Sequence, residues 1–419
     1  MSERETSRDY AHPYRPAPIR VLNAVGGVLA TVGLKTKLDE ASLLDAARKK
    51  TGLDDFGDEG FREPLRILLD SIEREARLST LGRIITRTRL LGTLVNRLRA
   101  EAAFKAHPEI LKQTLAPPVF VVGLQRSGTT MLQRLLAADP AARYLASWEA
   151  TNPAPDPKAR PGKPDPRIAY ARTGERGLQY LAPDFFAIHP VEALAPEEEV
   201  MLLDYAFLST VPEATMRVPT YASWLEAQDH TPAYEYLRRL LLLLQWQRGG
   251  DRWILKTPHH MEHLDVLLRV FPTARVVQTH RDPMKTLASF CSMIAHGYGV
   301  FTDHVDPVDV GRHWSRKVLR LVDRAMEARA AADSARFHDV SYYDLLADPM
   351  AQLRGVYDYL GVPLTAEAER AMGAWTQENA QHKHGKHVYR ASDFGLDVEA
   401  LDARFAGYRE RFGIRRESR

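Results

Sequence analysis

Apolar runs and helical stripes alternate along most of this chain. Patterns of short buried strands occur at residues 119–122, 253–256, 274–280 and 336–340. Helical patterns fall between and after them, at residues 128–136, 196–208, 232–248, 260–270, 284–294 and up to 360. Strands that alternate with helices predict an α/β fold, in which helices flank a parallel sheet and ligands bind at the carboxyl ends of the strands.

The first 116 residues have a different pattern and predict a helical region ahead of the α/β domain at 117–419. Residues 79–104 carry one apolar stripe flanked by arginines, which fits a helix docked on the core with a solvated face. A basic amphipathic helix on anionic lipid is the alternative. Residues 19–34 form an apolar, glycine-containing stretch that is too short and interrupted for a transmembrane helix, so we expect a buried or surface-seeking helix.

Composition narrows the classes of protein that remain. The 419 residues are 45% hydrophobic, which allows a sizeable core, and the net charge of +3 does not by itself argue for a nucleic-acid partner. Cys291 is the only cysteine, so no intrachain disulfide can form and a reducing compartment fits best. We therefore expect a cytoplasmic protein, with association to a membrane surface left open, and the oligomeric state is not determined.

A phosphate-binding loop is the most informative motif. The apolar run 119–122 ends at Gly123, and a helical pattern starts at Gly128. Strand, glycine loop and helix direct backbone N–H groups and the positive end of a helix dipole at an anion. The spacing is that of a nucleotide P-loop, but Thr129 stands where the lysine should follow, and the cation is Arg126. With no convincing metal-holding aspartate at a strand end, a smaller anion without a metal fits better.

A second anion site is predicted at the end of the strand 274–280. Arg281 follows the strand, and Pro283 fits the first position of a helix. Ser289 lies eight residues after Arg281, about two helical turns on, so both side chains can face one anion. The alternative is an exposed Arg–Asp pair beside a small helix residue.

These two segments resemble the sulfotransferase superfamily that uses 3′-phosphoadenosine 5′-phosphosulfate (PAPS), and the whole arrangement is most similar to its bacterial branch. The resemblance covers roughly residues 117–395. It implies that the loop binds the 5′-phosphosulfate and that Arg281 and Ser289 bind the 3′-phosphate. It also implies an adenine contact for Tyr342 and closure of a basic loop over the 3′-phosphate. The residues concerned are Arg126, Ser127, Gly128, Thr129, Thr130, Arg281, Ser289, Tyr342, Lys383 and Lys386.

The resemblance leaves the general base open. Cytosolic members carry Lys-Thr-His after the second core strand, whereas this chain has Lys256 followed by Thr-Pro-His-His, so the histidine is displaced. His260 is one candidate for the base. Glu199, the last residue of an acidic run at 197–199, is the other, because some branches use a glutamate. Arg126 and Lys256 are predicted to stabilise charge on the leaving oxygen.

We therefore predict an enzyme that transfers a sulfuryl group from PAPS to a hydroxyl of a small-molecule, lipid or glycan acceptor, without a metal. Two alternatives remain at this point: a P-loop kinase of a small molecule, and a nucleotide-binding protein that is not catalytic. The missing P-loop lysine argues against the kinase. The acceptor and the role of the histidine-rich loop 382–387 are not determined by the sequence.

Overall fold

The computed structural model describes residues 5–379 and 387–417. Five parallel strands form one sheet in the order β2-β3-β1-β4-β5. Their bounds are Pro118–Val122 (β1), Ala142–Tyr144 (β2), Arg252–Lys256 (β3), Arg275–His280 (β4) and Phe337–Ser341 (β5). The central strand β1 lies between β3 and β4, with Val119 opposite Ile254 on one side and Arg275 on the other. Since all strands run the same way, the ends of β1, β3, β4 and β5 share one edge.

Helices cover both faces of this sheet, as the alternating pattern predicted. The N-terminal region contributes Ala17–Thr31 (α1), Glu40–Thr51 (α2), Arg62–Glu75 (α3) and Thr80–Ala106 (α4). The first part of the α/β region adds Thr129–Ala137 (α5), Ser147–Thr151 (α6), Pro166–Leu181 (α7), Pro183–Ile188 (α8), Val200–Leu203 (α9), Val211–Thr215 (α10), Pro219–Leu225 (α11) and Thr231–Gln247 (α12). The remainder adds Leu264–Val270 (α13), Pro283–Phe301 (α14), Pro307–Ala331 (α15), Tyr342–Ala347 (α16), Pro349–Leu360 (α17), Ala366–Glu378 (α18), Val398–Arg404 (α19) and Ala406–Phe412 (α20).

The central strand shows why the sheet is buried on both faces. All five residues of β1 are buried. Val119 and Val121 pack with Leu132 and other residues on one face, while Phe120 and Val122 belong to the larger core on the other. Successive side chains of a strand point to opposite faces, so a continuous apolar run is what a sheet between two helical layers requires.

The helical N-terminal region shares the larger core. Leu44, Leu68 and Leu94 from α2, α3 and α4 are in the same cluster of buried residues as Phe120 of β1. The division of the chain at 116/117 stays a prediction, and packing runs across it. Within residues 5–379 and 387–417, no helix combines the length and the apolar character that crossing a membrane requires.

Two helices predicted from the sequence are shorter than expected. The pattern at 196–208 folds as an irregular segment followed by α9 and a 3-10 turn at Asp204–Ala206. A backbone bridge between Ala146 and Pro196 and a bond from the Glu197 N–H to the Leu145 carbonyl (2.8 Å) hold its start in an extended form. The predicted helix 260–270 divides into the 3-10 turn Pro258–Glu262 and α13.

Candidate active site

The loop between β1 and α5 has the backbone geometry of a tight anion cradle. Gly123 and Gly128 have φ values of 147° and 90°, which glycine adopts without steric cost. A Cβ on Gly123 would lie 2.3 Å from the Thr279 hydroxyl oxygen, so β4 approaches too closely for any side chain. Arg126 also has a positive φ, 68°. A non-glycine residue in this region stores strain, which is typical of functional loops.

The polar residues of the loop divide into inward and outward groups. The Ser127 hydroxyl is fully buried and donates to the Leu124 carbonyl (2.5 Å), with the Thr279 hydroxyl 2.8 Å away. Its side chain therefore stabilises the loop. Thr129 is buried at the start of α5, whereas Thr130 is exposed and lines a cavity. A ligand can reach the Thr130 hydroxyl directly.

Arg126, Arg281 and Ser289 come together beside the loop. Arg126 Nε donates to the Ser289 hydroxyl (3.2 Å), and Arg281 Nη1 donates to the Arg126 carbonyl (3.0 Å). Burial lowers the pKa of the Arg126 guanidinium, and the neighbouring charge of Arg281 lowers it further. Two cations held this close, in a poorly hydrated place, favour an anion between them.

Tyr342 lies on the other side of Arg281. The Arg281 guanidinium stacks over the Tyr342 ring at 4.1 Å from its centroid. A Cβ on Gly128 would come within 2.9 Å of the same ring. The ring thus lies between the loop and Arg281, at the end of β5, where a flat aromatic group of a nucleotide could also stack.

A carboxylate from the C-terminal end of the chain binds Arg281. Glu417 Oε1 accepts from Arg281 Nε (2.6 Å), and its Oε2 accepts from Nη2 (3.0 Å). Glu417 also donates its backbone N–H to Asp282 (2.9 Å). Tyr343 donates its hydroxyl to Glu417 Oε1 (3.1 Å). An internal anion therefore lies on the guanidinium predicted to hold the 3′-phosphate.

His387, the last residue of the histidine-rich segment 382–387, lies at the same place. His387 contacts the Ser289 hydroxyl through Nδ1 (3.5 Å) and the Ser292 hydroxyl through Nε2 (2.9 Å). Burial lowers its pKa to about 3, and Arg126 adds to this, so the ring is neutral at pH 7. Lys383 and Lys386, predicted to close over the 3′-phosphate, lie outside the described residues.

A cavity opens next to the loop, at the ends of β1 and β3. It is lined by Arg126, Thr130, Arg134, Ile188, His189, Pro190, Glu192, Pro196, Glu197 and Lys256. The Lys256 ammonium bonds to Glu198 Oε1, while Thr257 donates its hydroxyl to Glu198 Oε2 (3.0 Å). Lys256 is therefore at the cavity, as predicted, and it has a carboxylate partner.

Glu197 and Glu192 are the acidic residues that line this cavity, and Glu192 is paired with Arg134 (2.8 Å). The Glu197 carboxyl group has no ion pair of this kind among the described residues. Burial raises the pKa of its carboxyl group, although the hydrogen bond that Oε1 accepts from the Glu198 N–H (2.9 Å) opposes the effect. His189, also at the cavity, has its pKa lowered by burial to about 4. Both groups can accept a proton, and neither was singled out as the main candidate from the sequence.

His260 and Glu199, the two predicted bases, are bonded to each other instead. His260 Nε2 lies 2.7 Å from Glu199 Oε1, and its Nδ1 lies 2.7 Å from the Tyr234 hydroxyl. The second Glu199 oxygen accepts the Lys256 backbone N–H (2.7 Å). Both side chains are fully buried and do not line the cavity. Both Glu199 oxygens and both His260 nitrogens already have hydrogen-bond partners, and one of these bonds holds the backbone at the end of β3. The geometry of the pair is therefore that of a structural element.

Three further histidines lie behind this pair. His230, His259 and His263 are buried and could each bring one nitrogen within 4.8 Å of the others. The rings of His230 and His263 stack at 3.7 Å and 25°, so the lone pairs of their nitrogens lie in two nearly parallel planes. Burial lowers the pKa of all three, so they are neutral at pH 7. The cluster lies away from the cavity, and sulfuryl transfer without a metal stays a prediction.

Local sequence signals singled out the loop, Arg281, Ser289, Tyr342 and Lys256, whose roles stay predictions. They did not single out His189, His387 and Glu417, which the structure places beside these residues. Each reaches the site from a distant part of the chain, and no motif surrounds it. Prolines at 190 and 196 were the one available indication that residues 189–197 form an irregular, site-lining segment.

Comparison with known proteins agrees with this fold. Residues 117–366 match the model of the sulfotransferase family. The crystal structure of sulfotransferase STF1 from Mycobacterium tuberculosis H37Rv is 36% identical, with a TM-score of 0.77, over 89% of this chain and 100% of that one. The structure of sulfotransferase STF9 from Mycobacterium avium is 30% identical, with a TM-score of 0.83, over 91% and 99%.

A curated relative is also similar over most of its length. Omega-hydroxy-beta-dihydromenaquinone-9 sulfotransferase Stf3 from Mycobacterium bovis is 27% identical over 340 residues, which cover 72% of this chain and 76% of that one. The predicted fold and the predicted PAPS-dependent sulfotransferase activity are confirmed, and the kinase alternative is not supported. With a family model that covers more than half of its length and relatives that align nearly end to end, the chain belongs to the sulfotransferase family.

Proposed function

We propose that this sulfotransferase binds PAPS across the carboxyl ends of β1, β4 and β5. The 5′-phosphosulfate lies on the loop 123–130 with Arg126, the 3′-phosphate on Arg281 and Ser289, and the adenine against Tyr342. The observation that supports this arrangement is the convergence of the two arginines, the serine and the tyrosine next to the strained loop. Charge-assisted bonds from two guanidinium groups suit two separate anionic groups of one nucleotide.

The chemistry proposed is an in-line displacement at sulfur. The acceptor oxygen bonds to sulfur, the bond from sulfur to the 5′-phosphate oxygen breaks, and adenosine 3′,5′-bisphosphate (PAP) leaves. Negative charge builds on that leaving oxygen, so fixed cations near it lower the barrier. Lys256 and Arg126 border the cavity on the side of the loop and can supply this stabilisation. The acceptor proton passes to a base of the protein.

The base we propose is Glu197, in place of His260 or Glu199. Its carboxyl group borders the cavity beside Lys256, whereas His260 and Glu199 are buried against each other. A carboxyl group with a raised pKa is a better proton acceptor than an ordinary one, provided it is still ionised at the working pH. Glu198 is less suited because it already pairs with Lys256, which lowers its pKa against the opposing effect of burial.

The acceptor we propose is a hydroxylated lipid or another apolar small molecule. The name of the mycobacterial relative Stf3 describes action on a hydroxylated menaquinone, which is a lipid. In this chain the residues that line the cavity also include Ile188, Pro190 and Pro196, so part of its surface suits an apolar molecule.

Ligand binding and turnover test separate parts of the proposal. By calorimetry in EDTA, PAP should bind more tightly than ATP, and Lys256→Ala should slow turnover and weaken PAP binding. Tighter binding of ATP that depends on magnesium would contradict the assignment of the donor site. Radiolabelled sulfate should pass from PAPS into a lipid extract. PAP binding without transfer to any hydroxylated acceptor would instead support a binding protein.

A further inference from the structure

Helix α1 exposes an aliphatic surface that the proposed sulfotransferase chemistry does not explain. None of its 15 residues is buried. Val21, Val25 and Val28 are 63%, 54% and 70% exposed, and Val32 just beyond the helix is 70% exposed. Half of the large apolar side chains that are exposed in the described parts of the chain fall between residues 14 and 34. Such a concentration on one element marks an interaction surface.

The side of the helix that faces the protein has one isoleucine, one asparagine and one glycine. Ile19, Asn23 and Gly26, spaced by four and three positions, are its least exposed side. Asn23 donates to both Asp303 oxygens (3.2 and 3.1 Å) and accepts the Leu81 N–H (3.1 Å). Gly26 lies so close to α4 that a Cβ would be 2.3 Å from the Thr80 hydroxyl oxygen.

This orientation is the reverse of an ordinary surface helix. A helix that docks on a core turns its apolar face inward and its polar face to water. Here hydrogen bonds hold the inner face, and valine and leucine side chains form the outer one. The outer face therefore suits an apolar environment supplied by something other than the rest of this chain.

The charge around α1 indicates what that environment is. Between Tyr10 and Leu38 the chain has four cations and no aspartate or glutamate. Two neighbouring acidic groups are already neutralised, since Asp303 pairs with Arg15 and Glu73 pairs with Lys35 and Arg83. A third, Asp39, lies close to both Lys37 and Arg87, which lower the pKa of its carboxyl group. Arg20 and Lys37 are exposed and have no ion-pair partner among the residues that the structure describes. The surface around α1 therefore carries uncompensated positive charge.

We propose that α1 is a membrane-surface helix that binds anionic phospholipid. Its 15 residues span about 22 Å, short of the roughly 30 Å hydrocarbon core, so it lies in the plane of the surface. The valine face enters the boundary between headgroups and acyl chains, and Arg20 and Lys37 contact phosphate groups. Tyr14, 53% exposed just before the helix, has the amphipathic ring that this boundary favours.

The segment before α1 connects this surface to the active site. Arg15 donates to the Thr302 carbonyl (2.7 Å) at the end of α14, and the Tyr10 hydroxyl lies 3.0 Å from the Ser292 hydroxyl in the middle of that helix. Ser292 also contacts His387 (2.9 Å) beside the proposed 3′-phosphate site. The membrane surface is thus held in a fixed relation to the active site, whichever acceptor is used.

Vesicle flotation with the full chain tests the proposal. The wild-type protein should bind vesicles of phosphatidylcholine with phosphatidylglycerol, and bind phosphatidylcholine alone more weakly. Val25→Asp with Val28→Asp should lower vesicle binding ~10-fold or more. Each change removes apolar surface that the membrane would bury and adds a carboxylate that anionic lipid repels. The control is Val308→Asp, a valine 45% exposed at the start of α15, which should bind vesicles like the wild type.

Two further measurements keep the result interpretable. PAP binding in solution should be unchanged in the α1 variant, which shows that the fold and the donor site are intact. Arg20→Ser with Lys37→Ser should remove the preference for anionic vesicles. Equal vesicle binding by wild type and the α1 variant would overturn the proposal. The proposal would also be overturned if the wild type formed a dimer without binding vesicles and the α1 variant were a monomer, since the face would then bind a second copy.

Discussion

Replacing Glu417 by glutamine should tighten the binding of PAP. The Glu417 carboxylate makes two bonds to the Arg281 guanidinium, at 2.6 and 3.0 Å. The 3′-phosphate of the proposed donor needs the same guanidinium face. Glu417 must therefore leave, or share Arg281, before the phosphate can bind, and part of the binding free energy is lost in this exchange.

The magnitude follows from the exposure of the pair. The side chains of Arg281 and Glu417 are 16% and 19% exposed, between a surface ion pair of about 0–1 kcal/mol and a hydrogen bond to a charged group of about 1.5–3 kcal/mol. Glutamine keeps the shape and one weaker bond. We expect a gain of about 1 kcal/mol, which is roughly a fivefold lower Kd for PAP.

Calorimetry on a double-mutant cycle isolates this effect. Adenosine 5′-phosphate, which lacks the 3′-phosphate, should bind wild type and Glu417→Gln equally. In the Glu417→Gln background, Arg281→Ala should weaken PAP by about 1.5–3 kcal/mol. With Arg281→Ala present, Glu417→Gln should have no effect on PAP. The reasoning is refuted if Glu417→Gln strengthens both ligands equally, or if its effect survives the loss of Arg281.

Three further predictions concern the cavity and the buried groups. Glu197→Gln should lower kcat about 10²–10⁴-fold with PAP affinity retained. The kcat of the wild type should rise with pH as Glu197, whose pKa is raised, loses its proton. A full kcat in the variant would exclude Glu197 as the base. His260→Ala should cost about 3–5 kcal/mol of unfolding free energy by chemical denaturation, because Glu199 stays buried without its partner; an unchanged midpoint would contradict this structural role. Stability should fall as the pH drops below about 6.5, since the folded protein resists protonation of histidines that the unfolded chain protonates freely. These histidines, whose pKa is lowered by burial, are His230, His259 and His263.

The donor half of the site was accessible from the sequence because its parts are local. A strand, two glycines and a helix start fix the loop within eleven residues, and the helical repeat fixes Ser289 relative to Arg281. The structure brings Arg126 and Ser289 within 3.2 Å, although they are 163 positions apart. That distance follows once both segments are placed at the same edge of one parallel sheet.

The contacts of the acidic run were not anticipated because its local structure was predicted as a helix. In a helix, Glu197, Glu198 and Glu199 would point about 100° apart, and the last would be as good a candidate as any. The bridge between Ala146 and Pro196 instead extends this segment. At the end of β3, Lys256 then binds Glu198 through its ammonium group and Glu199 through its backbone N–H. No periodicity within residues 196–208 contains that information.

Contacts distant in the sequence also decide the orientation of α1. Its apolar pattern predicted a buried or surface-seeking helix, and these two possibilities differ only in what packs against the apolar side. The decision rests on Asn23 and on Gly26, whose contacts with Asp303 and Thr80 turn the aliphatic side outward. The pattern of valines alone does not predict which side of the helix faces the protein.

The cations of the proposed donor site share one property that bears on turnover. Arg281 is paired with Glu417, Lys256 with Glu198, and Arg126 donates to the Ile188 carbonyl and the Ser289 hydroxyl. Binding the nucleotide therefore exchanges internal partners for phosphate oxygens. Each exchange yields less free energy than an unpaired guanidinium would, because the old partner must be displaced. The internal partners recapture the cations when PAP leaves, so they limit the affinity for the product and favour its release. On this account, the tighter PAP binding expected of Glu417→Gln should be accompanied by slower product release, which a stopped-flow displacement experiment with PAP would measure.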